Sequence, residues 1–208
     1  MSPWGVDPAV QARVPAVGFR TLADGAIQLG DWVLVGATPP VIIEKPVHGE
    51  LRTVKEVHSG VLMRAPDGRE WAGDCLFGGS GGGLWLEAHW SLECSFVGDG
   101  VTHRVALSGE RGADLFEVRR LGGTVEASPG EGDSLAARGT MRAMTFYRRR
   151  KDKGFDPRTM DAVAAVSVTE PAALYVPGEL DAGLRLDVML AVGALVSLRA
   201  VTQIPILH

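Results

Sequence analysis

The residues able to do chemistry are few and scattered. "FGGSGGGLW" (77–85) holds the spacing Gly78-x-Ser80-x-Gly82. In a nucleophile elbow that serine sits on a tight strand-to-helix turn, with its Oγ exposed. A triad in the usual order would then need a later acid and a later histidine, and only His89, His103 and His208 follow Ser80. The segment from Leu84 onward alternates like a strand, so the helix that an elbow requires is not expected. The block is read instead as a flexible glycine hairpin loop over 78–83. No Gly-Lys-Ser/Thr follows the glycines, which excludes a P-loop.

Alternate residues of a strand share a face, so Glu87, His89 and Ser91 fall on one side and could cluster as a general base or metal site. The bland reading of the same three residues is a solvated strand face. His48 and His58 flank an expected hairpin and show no ligand spacing. Cys75 and Cys94, the chain's two cysteines, are too few for a disulfide scaffold and lack zinc spacing. A reduced, cytoplasmic compartment fits them, and whether they pair is left open. No catalytic residue, metal site or cofactor is assigned.

"RRRKDK" (148–153) sets five basic residues in six directly after Phe146 and Tyr147. Cations beside aromatics suit an anionic surface, because phosphate headgroups attract them electrostatically. Arg148, Arg149, Arg150, Lys151 and Lys153 are therefore the candidate lipid- or anion-binding residues. The bland alternative is a strand end leading into a solvated loop. Net charge over the 208 residues is −4, which disfavours a dedicated nucleic-acid binder.

These residues must be positioned by strands. Asp24-Gly25, Asp67-Gly68 and Asp99-Gly100 each lie between apolar or alternating runs. Glycine tolerates positive φ and aspartate bonds locally to backbone, so each pair signals a hairpin. The clearest strand is 84–97: Leu84, Leu86, Ala88, Trp90, Leu92, Cys94 and Phe96 alternate with Glu87, His89, Ser91, Glu93 and Ser95. Further strands are expected at 27–35, 40–44, 52–57, 60–65, 69–76, 102–107, 114–120, 124–127, 140–149, 163–168 and 172–176. Glycine, proline and acidic residues at 122–134 and the charged stretch 148–159 read as loops. Residues 1–26 read as an extended lead segment, followed by one domain over 27–208. The start of the chain lacks the basic and apolar regions of a signal peptide.

"LRLDVMLAVGALVSLRAV" (184–201) closes the pattern. Eleven residues separate Asp187 from Arg199, and Ser197 is the one among them that is neither apolar nor glycine. As a helix they span about 17 Å, whereas a bilayer core needs about 30 Å and about 20 residues. No membrane span is expected. A helix that is apolar all round must be buried on every side. A helix over about 187–200 following about twelve strands implies a closed antiparallel barrel with the helix inside: an all-β fold with one C-terminal helix.

That plan resembles the tubby C-terminal domain superfamily, which includes the phospholipid scramblases and the LURP-one-related proteins. "GELDAGLRLDVMLAVGALVSLRAV" (178–201), in which acidic and small residues lead into an apolar helix, carries the likeness, together with hairpins such as "GVLMRAPDGREW" (60–71). The likeness covers about 27–202 in architecture and the last 25 or so residues in local pattern. It implies a twelve-stranded barrel around a hydrophobic helix, and phosphoinositide binding; none of the family's lipid-binding residues is carried onto this chain. The expected function is non-enzymatic association with anionic phospholipid headgroups, peripheral at a membrane, with no nucleic-acid partner. Two alternatives stand beside it. One is a hydrolase or other enzyme using Ser80, Glu87 or His89, near the loop 78–83 and the strand 84–97. The other is a structural or oligomeric scaffold, with the oligomeric state open.

Overall fold

The computed structural model describes residues 6–38, 41–46, 52–82, 89–111, 118–128, 134–140, 142–149, 160–168 and 171–202. A short helix α1 (Pro8–Arg13) precedes strands β1 (Val17–Thr21), β2 (Ile27–Leu29), β3 (Trp32–Ala37), β4 (Val41–Pro46), β5 (Arg52–Arg64) and β6 (Glu70–Gly82). Next come β7 (His89–Gly98), β8 (Val101–Arg111), β9 (Val118–Ser128), β10 (Ser134–Gly139), β11 (Ala143–Arg149), β12 (Ala162–Ser167) and β13 (Ala173–Tyr175). Helix α2 (Ala182–Thr202) ends the described chain.

The order β3-β2-β1-β13-β12-β11-β10-β9-β8-β7-β6-β5 closes into a ring, because β3 also pairs with β5. All the pairings are antiparallel. Strand β3 takes the Val61–Arg64 part of β5, and β4 takes the Thr53–His58 part. These two short strands thus share one position, giving a twelve-stranded barrel. The β3–β5 ladder closes the ring there without a sheet edge, while β4 pairs on one side only, with β5.

Each Asp-Gly pair is a hairpin turn. Gly25, Gly68 and Gly100 have φ of 85°, 86° and 75°, a region that costs glycine nothing. Asp99 joins Gly100 at positive φ (50°), and Gly98 pairs with Val101. This is a two-residue turn whose twist matches that of the flanking strands.

Alternation holds along β7. Leu92, Cys94 and Phe96 are buried, and Glu93, Ser95 and Val97 are exposed. The interior is filled by α2: every residue from Asp187 to Ser197 is buried. A Cβ on Gly193 would come within 2.6 Å of Met63 Sδ, so glycine lets the helix approach β5. Helix α2 starts about five residues earlier than its apolar stretch suggests. Asp181 caps it, accepting from the backbone N–H groups of Gly183 (2.9 Å) and Leu184 (3.3 Å).

Several elements differ from the sequence reading. The glycine block 78–82 is not a loop but the end of β6, paired with β5 on one side and, through Ser80, with β7 on the other. Glycine is a poor strand former, yet two long neighbours supply the ladder and override that preference. The same cooperation runs β5 unbroken through Ser59-Gly60, and β9 through Gly122-Gly123. Glycine at 123 has a packing reason: a Cβ there would collide with the Ala106 carbonyl oxygen. Strand β9 runs on to Ser128, within the 122–134 stretch expected to be a loop, β10 (Ser134–Gly139) falls where no strand is expected, and Gly30, at φ 69°, splits 27–35 into β2 and β3. The lead segment contributes α1 and a full stave, β1. The stretches 83–88 and 112–117 lie outside the described residues.

Cys75 and Cys94 are directly opposed on β6 and β7 and form a disulfide inside the barrel. Both are almost fully buried. Opening this 19-residue link with a reductant is expected to cost about 3 kcal/mol, read as a lower urea midpoint than for the oxidised protein. Leu190→Ala, at a fully buried site in α2, is expected to cost about 2–5 kcal/mol. An unchanged thermal melt would show that α2 is not central.

Candidate functional site

The basic candidates begin at the end of β11. Met144 and Phe146 point into the core and are fully buried. Thr145 and Tyr147 lie on the opposite, outer face. Arg148 and Arg149 follow, exposed and half-buried respectively. Opposite them on β10 stand Leu135 and Ser134. The Arg148 backbone N–H donates to the Asp161 carbonyl (3.1 Å), which closes the base of the connection to β12. Arg150, Lys151 and Lys153 lie outside the described residues. Arg138 on β10 is also exposed, opposite Thr145. Burial raises the Tyr147 phenol above its ordinary range, and the Asp7 carboxylate raises it further, while Arg138 opposes the shift.

At the same end of the barrel, Arg69 ties two hairpins together. Its guanidinium donates to Asp67 in its own turn (2.7 Å) and to Asp99 in the β7–β8 turn (2.9 Å). The backbone and guanidinium N–H groups of Arg69 hold Asp67 below the usual carboxylate range. This arginine is committed to structure, on strands well removed around the ring from β11.

The Gly78-x-Ser80-x-Gly82 motif lies wholly within β6, so it lacks the strand-to-helix turn of a nucleophile elbow. Pairing sets Ser80 opposite His89, and His89 opposite Glu110. Glu87 lies outside the described residues, as does His48. Among the described residues no group of three or more His, Cys, Asp and Glu could hold a metal ion. No helix among them is long and apolar enough to cross a membrane.

One polar pair was not foreseen. His103 Nδ1 on β8 lies 2.6 Å from Asp187 Oδ1 on α2, with side-chain exposures of 6% and 5%. The Trp71 ring stands edge-on to the imidazole, with centroids 5.1 Å apart. The sequence suggests that Asp187 answers the helix dipole at the helix start. It lies instead inside the second turn, facing the wall. A separation of 84 residues hides this pair from any local pattern; the available signals were the inward parity of His103 beside Val105 and Leu107 and an acid heading an apolar helix.

The dyad joins α2 to β8 and acts as a bolt between helix and wall. No family model matches the chain, and no curated protein or solved structure matches it either.

His103→Ala would leave Asp187 buried and unpaired, at an expected cost of about 3–5 kcal/mol. The double variant His103→Leu/Asp187→Leu should recover most of that loss. Chemical denaturation of the single and double variants checks both; equal stability of all three forms would refute the bolt.

Proposed function

We propose that the protein is a non-enzymatic module that associates peripherally with anionic membrane surfaces, in the manner of the scramblase and LURP-one-related proteins its plan resembles. The observation that carries this reading is the occupied interior. Side chains of α2 from Val188 to Val196 pack into one core with the barrel wall, so a partner is met from outside. On the outside, Arg148 and Arg149 at the end of β11 open the densest basic run of the sequence. Cationic side chains near an anionic leaflet contribute about 1 kcal/mol each. A helix that serves as a plug has no surface free to conduct lipid, so active scrambling is not part of the proposal.

The test is co-sedimentation with phosphatidylcholine vesicles with and without phosphatidylserine, at low and high salt. Binding to the anionic vesicles should fall with salt. Replacing Arg148, Arg149 and Arg150 by Gln should weaken it roughly a hundred-fold, three charges at about 1 kcal/mol each. Equal binding to anionic and neutral vesicles at low salt would sink the reading.

A further inference from the structure

The chain's N-terminal segment crosses the outer face of the barrel at the basic end. Helix α1 lies against β12, burying Val10 and Val14 with Ala165 in a small cluster outside the main core. Its polar contacts reach both strands that flank the basic connection. On the β11 side, the Asp7 backbone N–H donates to Thr145 Oγ1 (3.1 Å) and Tyr147 Oη donates to the Asp7 carboxylate (3.5 Å). On the β12 side, the Arg13 guanidinium donates to the Ala162 carbonyl (2.7 Å), while its Nε holds the Ala9 carbonyl (3.0 Å). Thr145 and Ala162 bracket the place where the chain leaves β11 and returns to β12.

That place needs holding. The β11–β12 register slips between Phe146 and Tyr147, so the ladder is irregular just before Arg148. Beyond the slip, Tyr147 pairs with Ala162 and the Arg148 N–H bonds to Asp161. Barrel closure does not require α1, because β1 already pairs with β13 and β2. The segment is also remote in sequence, 138 residues from Thr145 and 149 from Ala162. Thr145, on the outer face, is only 2% exposed, as expected of a residue the strap covers.

We propose that residues Asp7 to Val14 form a strap that fixes the ends of β11 and β12, so that Arg148 and Arg149 are presented to an anionic surface in one geometry. Asp7 and Arg13 are its positioning residues. The inference rests on the membrane-surface reading above and assigns the strap as the element that tunes it. Holding the ends in place before binding removes an ordering cost that a frayed end would incur on the membrane.

The experiment compares wild type, Asp7→Ala/Arg13→Ala, and the milder Arg13→Gln. Without lipid, amide exchange over 143–149 and 160–166 should speed up in the variants. The Tyr147 phenol, followed by ultraviolet titration against Tyr147→Phe, should move down towards its ordinary range when Asp7 is lost. With phosphatidylserine-containing vesicles, binding should weaken by about ten-fold, the effect of re-ordering two side chains. Arg148→Gln/Arg149→Gln should lose binding with exchange unchanged. Exchange and titration identical to wild type in both strap variants would overturn the strap. Faster exchange with unweakened vesicle binding would overturn its positioning role. A wild type that ignores anionic vesicles would bring down the membrane reading and, with it, the functional role, while the exchange data would still show what the strap holds.

Discussion

An apolar helix with no polar face has to be enclosed. Nine consecutive residues, Val188 to Val196, are shielded from water, and burying such side chains is worth about 1.5–3 kcal/mol for each large one. An open sheet covers one side of a helix. Only a sheet closed on itself covers every side, and the β3–β5 pairing supplies that closure. The rest of the architecture follows from this demand. The buried inward positions on the long strands are apolar apart from Ser59 on β5 and His103 on β8, glycine stands where α2 meets Met63, and the two short strands β3 and β4 share one stave.

Enclosure also sets what the few interior polar groups can do. Asp187 cannot reach water, so it takes His103 as its partner, and the pair fixes α2 against β8. Such a pair contributes less to net stability than to uniqueness, because desolvation cancels much of its attraction. It joins residues 84 apart in the chain, one on the helix and one on the wall. The Cys75–Cys94 link does similar work in the wall, joining adjacent strands where both side chains face the core.

With the lumen filled, interaction with other molecules is left to the outside of the barrel. The end of β11 differs from the opposite arc of the same rim. There, Arg69 sits between Asp67 and Asp99; at the end of β11, Arg148 and Arg149 begin four consecutive cationic residues, 148–151. An N-terminal segment folded back over β11 and β12 supports that end.

Periodicity and turn chemistry were legible from the residues alone. Two-residue alternation identified β7, and Asp-Gly pairs marked three turns, because both signals arise from local geometry. The length and uniform apolarity of α2 required burial whatever the fold. Local signals failed where neighbours outvoted them: glycines at 78–82 and 122–123 read as loops until long flanking strands supplied their ladders, and β1 and β10 carried too little pattern to be seen. The residues that tie distant parts together were beyond reach for a related reason. His103 with Asp187, Cys75 with Cys94, and Asp7 with Thr145 become neighbours only once the ring has closed and set the strand register. The sequence by itself determined a water-shunning helix and the strands to surround it. The tertiary structure decided which polar residues meet, since contact between residues far apart in the chain depends on the closed path between them.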